Sequence, residues 1–261
     1  MVDLFAGASL TDFFNRDLAR LWADKIKTEQ PDFASGEFVA FVTKQLAGKT
    51  MTERQWIFAE GLVVYLGDNH LANLALLGKV LGPELATEVG MFRDSSWLFP
   101  AARYVEKYGL SHRKASLAFI RELTKRFTGE WAIRPYLAAS PKIVIKELVR
   151  WSRDENVHIR RLASEGMRIS LPWAKKSLVC LDEWETYKII LTNLKNDPSR
   201  FVQRSVGNNL NDLYRHDAKY AKEIIEEWQQ TELSPATAWI VKHGQRSLRQ
   251  PKNQKDDTIK K

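Results

Sequence analysis

The sequence predicts an all-α protein, an α-solenoid of HEAT-like helical repeats with a concave basic face. Three observations carry that prediction. Glycine and proline are sparse, 13 and 9 in 261 residues, and strand-like alternation is scarce, so apolar residues recur at helical spacing. From Ser111 onward the helical segments come in pairs joined by short loops. Two second-of-pair helices also align: Asp154-Glu-Asn-Val-His-Ile-Arg-Arg161 falls on Asp197-Pro-Ser-Arg-Phe-Val-Gln-Arg204, an offset of 43 residues, which is the period of HEAT and armadillo repeats. Arg246 in His243-Gly-Gln-Arg-Ser-Leu248 lies 42 residues beyond Arg204 and gives a weaker third copy.

Taken in order, residues 10–29 read as a first helix closed by Pro31. A second starts near Ser35, with Phe38, Phe41, Val42 and Leu46 on one side. Helices over 52–66 and 69–81 follow, the latter ending before Pro83. A short helix near 84–92 leads into Ser95-Ser-Trp-Leu-Phe-Pro100, an aromatic loop or turn, and then to a helix over 101–109. The pairs are 111–126 with 129–139, 141–153 with 156–170, 183–195 with 199–215, and 217–229 with 235–249. No Gly/Ser/Pro linker divides the chain, so residues 1–250 are expected to form one domain, with N-terminal helices over 1–110 and recognisable repeats over 111–250. The polar stretch 251–261, with Lys252, Lys255, Lys260 and Lys261, is expected to be a disordered basic tail.

Composition narrows the function. A hydrophobic fraction of 44%, with 12 Phe, 9 Trp and 7 Tyr, suffices for a sizeable core, and a net charge of +8 favours an anionic partner, nucleic acid or a membrane surface. No run approaches the ~18 apolar residues of a membrane span, and Met1-Val-Asp-Leu-Phe-Ala-Gly7 lacks the order of a signal peptide. Cys180 is the single cysteine; it excludes an internal disulfide and a thiolate metal cluster and fits a reducing, cytoplasmic setting. The chain has no glycine-rich phosphate loop, HExxH or GxSxG, and its histidines at 70, 112, 158, 216 and 243 lack metal-ligand spacing. Neither a cofactor nor a metal is expected.

The polar helix faces hold the candidates. At 100° per residue, Arg161, Glu165 and Arg168 span about 60° of one face, opposite Ile159, Leu162, Ala163 and Gly166. This face is expected to point outward. On the helix at 199–215, Arg204, Asn208, Asn211 and Arg215 cluster opposite Val202, Val206, Leu210 and Leu213, with Asp212 at the boundary; Lys242, Arg246 and Arg249 form the polar side of 235–249. Guanidinium forks match phosphate oxygens and Asn adds neutral donors, so such a track suits a phosphate backbone. Solvated faces with intrahelical ion pairs such as Arg161 with Glu165 are the plainer reading.

Three carboxylates stand out for chemistry: Glu130 in Gly129-Glu-Trp-Ala-Ile-Arg-Pro135, Glu165 between its arginines, and Asp212 in Asn208-Asn-Leu-Asn-Asp212. Each also has a structural reading, as a helix N-terminal acid, an intrahelical ion pair and an interhelical hydrogen-bond partner respectively. Trp131 and Trp173 flank the acids; tryptophans of this kind belong to the core or, when exposed, stack on a sugar or a cationic base.

These motifs carry a family resemblance. Phe127-Thr-Gly-Glu-Trp-Ala-Ile-Arg-Pro-Tyr136, Arg160-Arg-Leu-Ala-Ser-Glu-Gly-Met-Arg-Ile-Ser-Leu-Pro-Trp173, Arg204-Ser-Val-Gly-Asn-Asn-Leu-Asn-Asp212 and Trp239-Ile-Val-Lys-His-Gly-Gln-Arg-Ser-Leu248 come in the expected order and together resemble the AlkC branch of DNA alkylation repair glycosylases. The resemblance spans about 127–248. It implies a concave, basic HEAT-like fold. It implies a monofunctional enzyme of base excision repair that removes cationic alkylated bases such as 3-methyladenine and 3-methylcytosine from double-stranded DNA. Most glycosylases flip their target base; this branch is expected to act without doing so, as a monomer. Some of its members carry a further immunoglobulin-like domain, which a chain ending at Lys261 is expected to lack. The resemblance makes Glu165, Asp212 and Glu130 the expected catalytic residues. It places Arg161, Arg168, Trp173, Trp131, Arg204, Asn208 and Arg246 against the DNA. The alternatives are a non-catalytic HEAT-repeat scaffold that binds DNA or protein, and an AlkD-like glycosylase of 3- and 7-alkylpurines.

Overall fold

In the computed structural model, residues 9–89 and 91–249 are described, and every regular element among them is helical. The elements are α1 (Leu10–Phe13), α2 (Arg16–Glu29), α3 (Ser35–Gln45), α4 (Met51–Leu66), α5 (His70–Val80), α6 (Met91–Ser95), α7 (Phe99–Tyr108), α8 (Arg113–Thr124), α9 (Arg134–Ala139), α10 (Pro141–Trp151), α11 (Val157–Glu165), α12 (Val179–Asp182), α13 (Trp184–Leu194), α14 (Arg200–His216), α15 (Ala218–Gln229) and α16 (Pro235–Gly244), with short 3₁₀ turns at Ser96–Leu98, Leu110–His112 and Gln245–Arg249. The tail over 251–261 lies outside the described residues. The chain folds as two compact units, Met1–Pro141 and Lys142–Lys261.

In the first unit the expected helix over 10–29 is broken. Asn15 adopts an extended backbone and its side chain accepts from the amides of Asp17 and Leu18, so it caps α2 instead of continuing α1. The break lets Phe13 and Phe14 both turn inward, edge to face at 5.4 Å. The helix expected near 84–92 is absent as drawn. Gly82 takes φ 78°, and Arg126 Nε (2.6 Å) and the Leu85 amide (2.9 Å) tie the segment to the end of α8. α6 then starts only at Met91. The Ser95–Pro100 stretch is a 3₁₀ turn running into α7, and its backbone carbonyl at Trp97 accepts from the buried Trp22 indole at 2.8 Å. Residues 130–133 form turns, and α9 begins only at Arg134, with Pro135 in its first turn.

The second unit is organised about α14. Val202, Val206, Leu210 and Leu213 are fully buried on one side of it, each worth roughly 1.5–3 kcal/mol of burial. α16 crosses α14 closely because both helices present glycine: a Cβ on Gly244 would stand 2.6 Å from Leu210 Cβ, and one on Gly207 would stand 2.7 Å from the His243 ring.

The repeat seen in sequence has a physical basis in its first two copies. Asn156 and Ser199 are the N-caps of α11 and α14, each accepting from two helix amides. Asp154 and Asp197 each accept, at 2.9 Å, the amide of the capping residue two positions on. The third copy is misplaced by counting 42 residues to Arg246. α16 is capped by Ser234, so the position that Arg161 and Arg204 hold in their helices, five past the cap, belongs to Trp239, whereas Arg246 lies beyond the helix end.

Candidate active site

α11 carries Glu165 as its last residue, and the chain then turns through Gly166 instead of continuing to 170, with Pro172 shortly beyond. That turn moves Arg168 off the helix and folds it back. Its Nη1 donates to Glu165 Oε1 at 3.0 Å, its Nε to Asp212 Oδ2 at 3.0 Å and its Nη2 to Asp212 Oδ1 at 3.3 Å. Asp212 comes from α14, so one guanidinium joins acids from two successive repeats. Arg161 Nη2 adds an ion pair to Glu165 Oε1 at 3.4 Å, Ser205 Oγ donates to Glu165 Oε2 at 2.7 Å, and the Ser170 amide donates to Asp212 Oδ2 at 3.2 Å.

The expectation of an outward-facing triplet is therefore corrected: Glu165 and Asp212 are each 4% exposed and Arg168 is 8% exposed. Glu165 and Arg168 are buried against α14, while Arg161 stays half-buried. Burial alone would raise the Glu165 pKa. The Arg161 and Arg168 charges and the Ser205 hydroxyl outweigh it and hold the carboxyl below its ordinary 4.5. Arg168 is pushed the other way: burial would lower its pKa, but Glu165 and Asp212 raise it. Glu165 and Arg168 both stay charged at neutral pH.

A basic and aromatic surface adjoins this network. Arg161 lies over the Phe201 ring at 4.9 Å, and Arg204 is exposed. Asn208 Oδ1 accepts from Arg246 Nη2 at 3.0 Å and meets His243 Nε2 at 3.2 Å. The His243 ring stacks on Trp239 at 4.8 Å, and Arg200 covers that indole at 4.0 Å. Burial first, then Arg246 and Arg204, lowers the His243 pKa to about 4, so its imidazole is neutral. Arg246 lies within electrostatic reach of Arg168, Asp212 and Arg215. Asn211, expected on the same face, instead points inward and ties α14 to the Gly244 carbonyl and Ser247 Oγ, both at 2.8 Å.

The two tryptophans part company. Trp173 is 56% exposed and holds φ 59°, a left-handed backbone that costs a bulky residue on the order of 1–3 kcal/mol and tends to mark a functional segment. Trp131 is 3% exposed in the first unit, against Phe99 at 5.4 Å and Phe92 at 6.2 Å, with Arg103 at 5.7 Å. It is a core residue there, and its expected stacking on DNA does not fit that enclosure. Glu130, also in the first unit and 3% exposed, accepts from Thr128 Oγ1 at 2.9 Å in the turn before α9.

Sequence reasoning missed Ser205, Trp239 and the inward turn of Arg168. Small polar residues at Ser164 and Ser205 on otherwise apolar helix surfaces were the available signal for the first. Among the described residues no cluster of acids, histidines and cysteine is arranged to hold a metal ion, and no helix is long and apolar enough to cross a membrane.

Residues 104–245, more than half of the chain, match a family described as DNA alkylation repair enzyme. The uncharacterized protein YhaZ of Bacillus subtilis (strain 168) is 31% identical over 242 residues, which make up 92% of this chain and 65% of YhaZ. Among solved structures, the Pseudomonas fluorescens alkylpurine DNA glycosylase AlkC, bound to DNA containing an abasic site analog, superposes with a TM-score of 0.81 at 30% identity, over 93% of this chain and 65% of that one. The chain thus spans about two thirds of the length of each of these relatives.

Proposed function

We propose, because this chain belongs to the DNA alkylation repair enzyme family, that it is a DNA glycosylase which hydrolyses the N-glycosidic bond of cationic alkylated bases, 3-methyladenine and 3-methylcytosine among them, in double-stranded DNA. The observation that carries the reading is the Glu165–Arg168–Asp212 network: two acids from adjacent helices, fixed by one guanidinium beside a basic surface.

The chemistry follows from charge. Alkylation at N3 leaves the base cationic, so the C1′–N bond breaks with its electron pair going to a base that departs neutral, and no group needs to protonate it. Positive charge then develops on the deoxyribose. Carboxylates stabilise that charge, and one of them accepts the proton of the water whose oxygen bonds to C1′. A carboxylate has about four acceptor sites. Arg161 and Arg168 occupy Glu165 Oε1, while Oε2 takes only Ser205 among the described residues. On Asp212, Oδ2 takes Arg168 and Ser170, while Oδ1 takes only Arg168. Glu165 Oε2 and Asp212 Oδ1 each retain acceptor capacity; Glu165 is assigned the water and Asp212 the developing sugar charge. Water is the only co-reactant.

Arg168 serves as a positioning residue for both acids and not as a phosphate contact. Arg161, Arg204, Arg246 and Asn208 form the phosphate-facing set along α11, α14 and the end of α16, which in this reading is the concave side of the repeats. Trp173 meets the deoxyribose or lesion with its exposed ring, the base remaining unflipped. The abasic analog in the AlkC complex is the kind of product this reaction leaves, and AlkC is an alkylpurine DNA glycosylase, which supports purine lesions within the range. Incubation with methylated duplex DNA and chromatography of the supernatant should release 3-methyladenine. A DNA-binding scaffold would bind the duplex and release nothing, and release of 7-methylguanine would mark the AlkD-like range.

A further inference from the structure

Ser205 stands on α14, one residue after Arg204 and about 100° round the helix from it, and is buried at 2% exposed. Its Oγ makes two contacts of 2.7 Å, one to Glu165 Oε2 and one to Ser164 Oγ. A hydroxyl has one proton. The carboxylate cannot donate, so the Ser205 proton goes to Glu165, and the single Ser164 proton is shared between two acceptors, Ser205 Oγ at 2.7 Å and the Arg161 carbonyl at 3.1 Å. The direction of the Ser205 bond to Glu165 is thereby fixed. Behind it, Asn209 Nδ2 donates to the Ser164 carbonyl at 3.0 Å and the Ser205 carbonyl at 2.9 Å, and its Oδ1 accepts from the fully buried Tyr187 hydroxyl at 2.8 Å. α11, α13 and α14 are locked together around these two hydroxyls.

The two oxygens of Glu165 consequently differ. Oε1 faces two cations that would hold any carboxylate nearby, whereas Oε2 is held by a single neutral donor whose position is set by the Ser164–Asn209–Tyr187 framework. We propose that Ser205 is a positioning residue of the active site, which aims Glu165 Oε2 so that its remaining lone pair meets the attacking water. This proposal rests on the glycosylase reading above. A hydrogen bond to a charged group is worth about 1.5–3 kcal/mol, so its loss is expected to slow proton acceptance by roughly ten- to a hundredfold. The Ser205 bond also helps to keep the Glu165 pKa down, and its removal should raise it.

The pair supplies its own control. Ser205→Ala and Ser164→Ala remove hydroxyls of equal size from the same helix interface, and both lose the Ser164–Ser205 bond. Only Ser205→Ala loses the bond to Glu165. Two measurements apply to wild type and both variants: single-turnover release of 3-methyladenine from methylated duplex, and the Glu165 titration midpoint by carboxyl carbon NMR, with Glu165→Gln identifying the resonance. Ser205→Ala should slow release by roughly ten- to a hundredfold, raise the midpoint and leave binding to an abasic-analog duplex intact, while Ser164→Ala should stay close to wild type in all three. Equal midpoints in the two variants, or equal rates, would overturn the assignment and make Ser205 a helix-packing residue. A wild-type protein that releases no base would refute the glycosylase reading instead, with the Glu165 midpoints still deciding whether Ser205 governs that carboxylate.

Discussion

Arg168 reaches Asp212, 44 residues away, with Nε and Nη2 at 3.0 and 3.3 Å from its two oxygens, while Nη1 holds Glu165 at 3.0 Å. A planar guanidinium is the side chain that can do both at once. Arg168→Gln leaves two buried acids without their shared cation, and breaking a buried pair in this way costs about 3–5 kcal/mol. Arg168→Lys should recover only part of that, since an ammonium cannot form the fork. Urea unfolding of the three proteins measures it; a loss below about 1 kcal/mol for Arg168→Gln would mean that the network is looser than its distances.

The same ion pairs set a pH window. The Glu165 pKa is lowered in the folded protein from its ordinary 4.5, so the unfolded chain binds the proton more readily. The stabilisation from this group is therefore fully present above about pH 4.5 and lost as pH falls through the folded value. Base release should likewise keep its rate down to that region and fall only below it. Thermal unfolding against pH should show a steeper acid decline for wild type than for Glu165→Gln, and identical slopes would contradict the depressed pKa.

His243 works in the same sense over a higher pH range. Its pKa is lowered from 6.5 to about 4, so the unfolded chain takes up a proton that the folded protein refuses. Its contribution to stability is complete above pH 6.5 and declines between 6.5 and about 4. Solvent access to the ring keeps the effect modest. His243→Phe, which retains the stack on Trp239, should flatten that part of the curve.

The α14–α16 crossing depends on absent side chains. Gly244→Ala would push a methyl group to 2.6 Å from Leu210 Cβ, and overpacking of this kind typically costs about 1–3 kcal/mol. Gly36 is the contrast: it lies in α3 with nothing within 4 Å of an added Cβ, so Gly36→Ala should stabilise by roughly 0.5–1 kcal/mol. Chemical unfolding of the two variants should move the midpoint in opposite directions.

What the sequence made legible follows the physics of local signals. Helix class, the apolar side of α14 and the cap chemistry shared by α11 and α14 were written in spacing and in Asp-x-Asn/Ser triplets. The break at Asn15, the unwound 84–89 segment and the end of α11 at Glu165 were not, because each depends on a partner far away in the chain: the core around Phe13 and Phe14, the end of α8, and Asp212. The same limit applies to the site. A helical wheel placed Arg161, Glu165 and Arg168 on one face but assumed that the helix continued, and so turned Arg168 outward. Counting residues put Arg246 in register with Arg204, where counting from the caps finds Trp239.

Arg204 is exposed and Arg246 is partly so. If both contact phosphate, Arg204→Gln and Arg246→Gln should each weaken binding across sequences and reduce the slope of log affinity against log salt by about one. Exposed Arg153, in the turn after α10 and hydrogen-bonded to Asn193 at 3.1 Å, serves as the control and should leave the slope unchanged.

The most direct test of the central claim is single-turnover release of 3-methyladenine from methylated duplex by wild type and Glu165→Gln, run beside binding of both to an abasic-analog duplex. The account predicts release by wild type, a loss of roughly a hundredfold or more in the variant, and undiminished binding. Release by Glu165→Gln at the wild-type rate would contradict it.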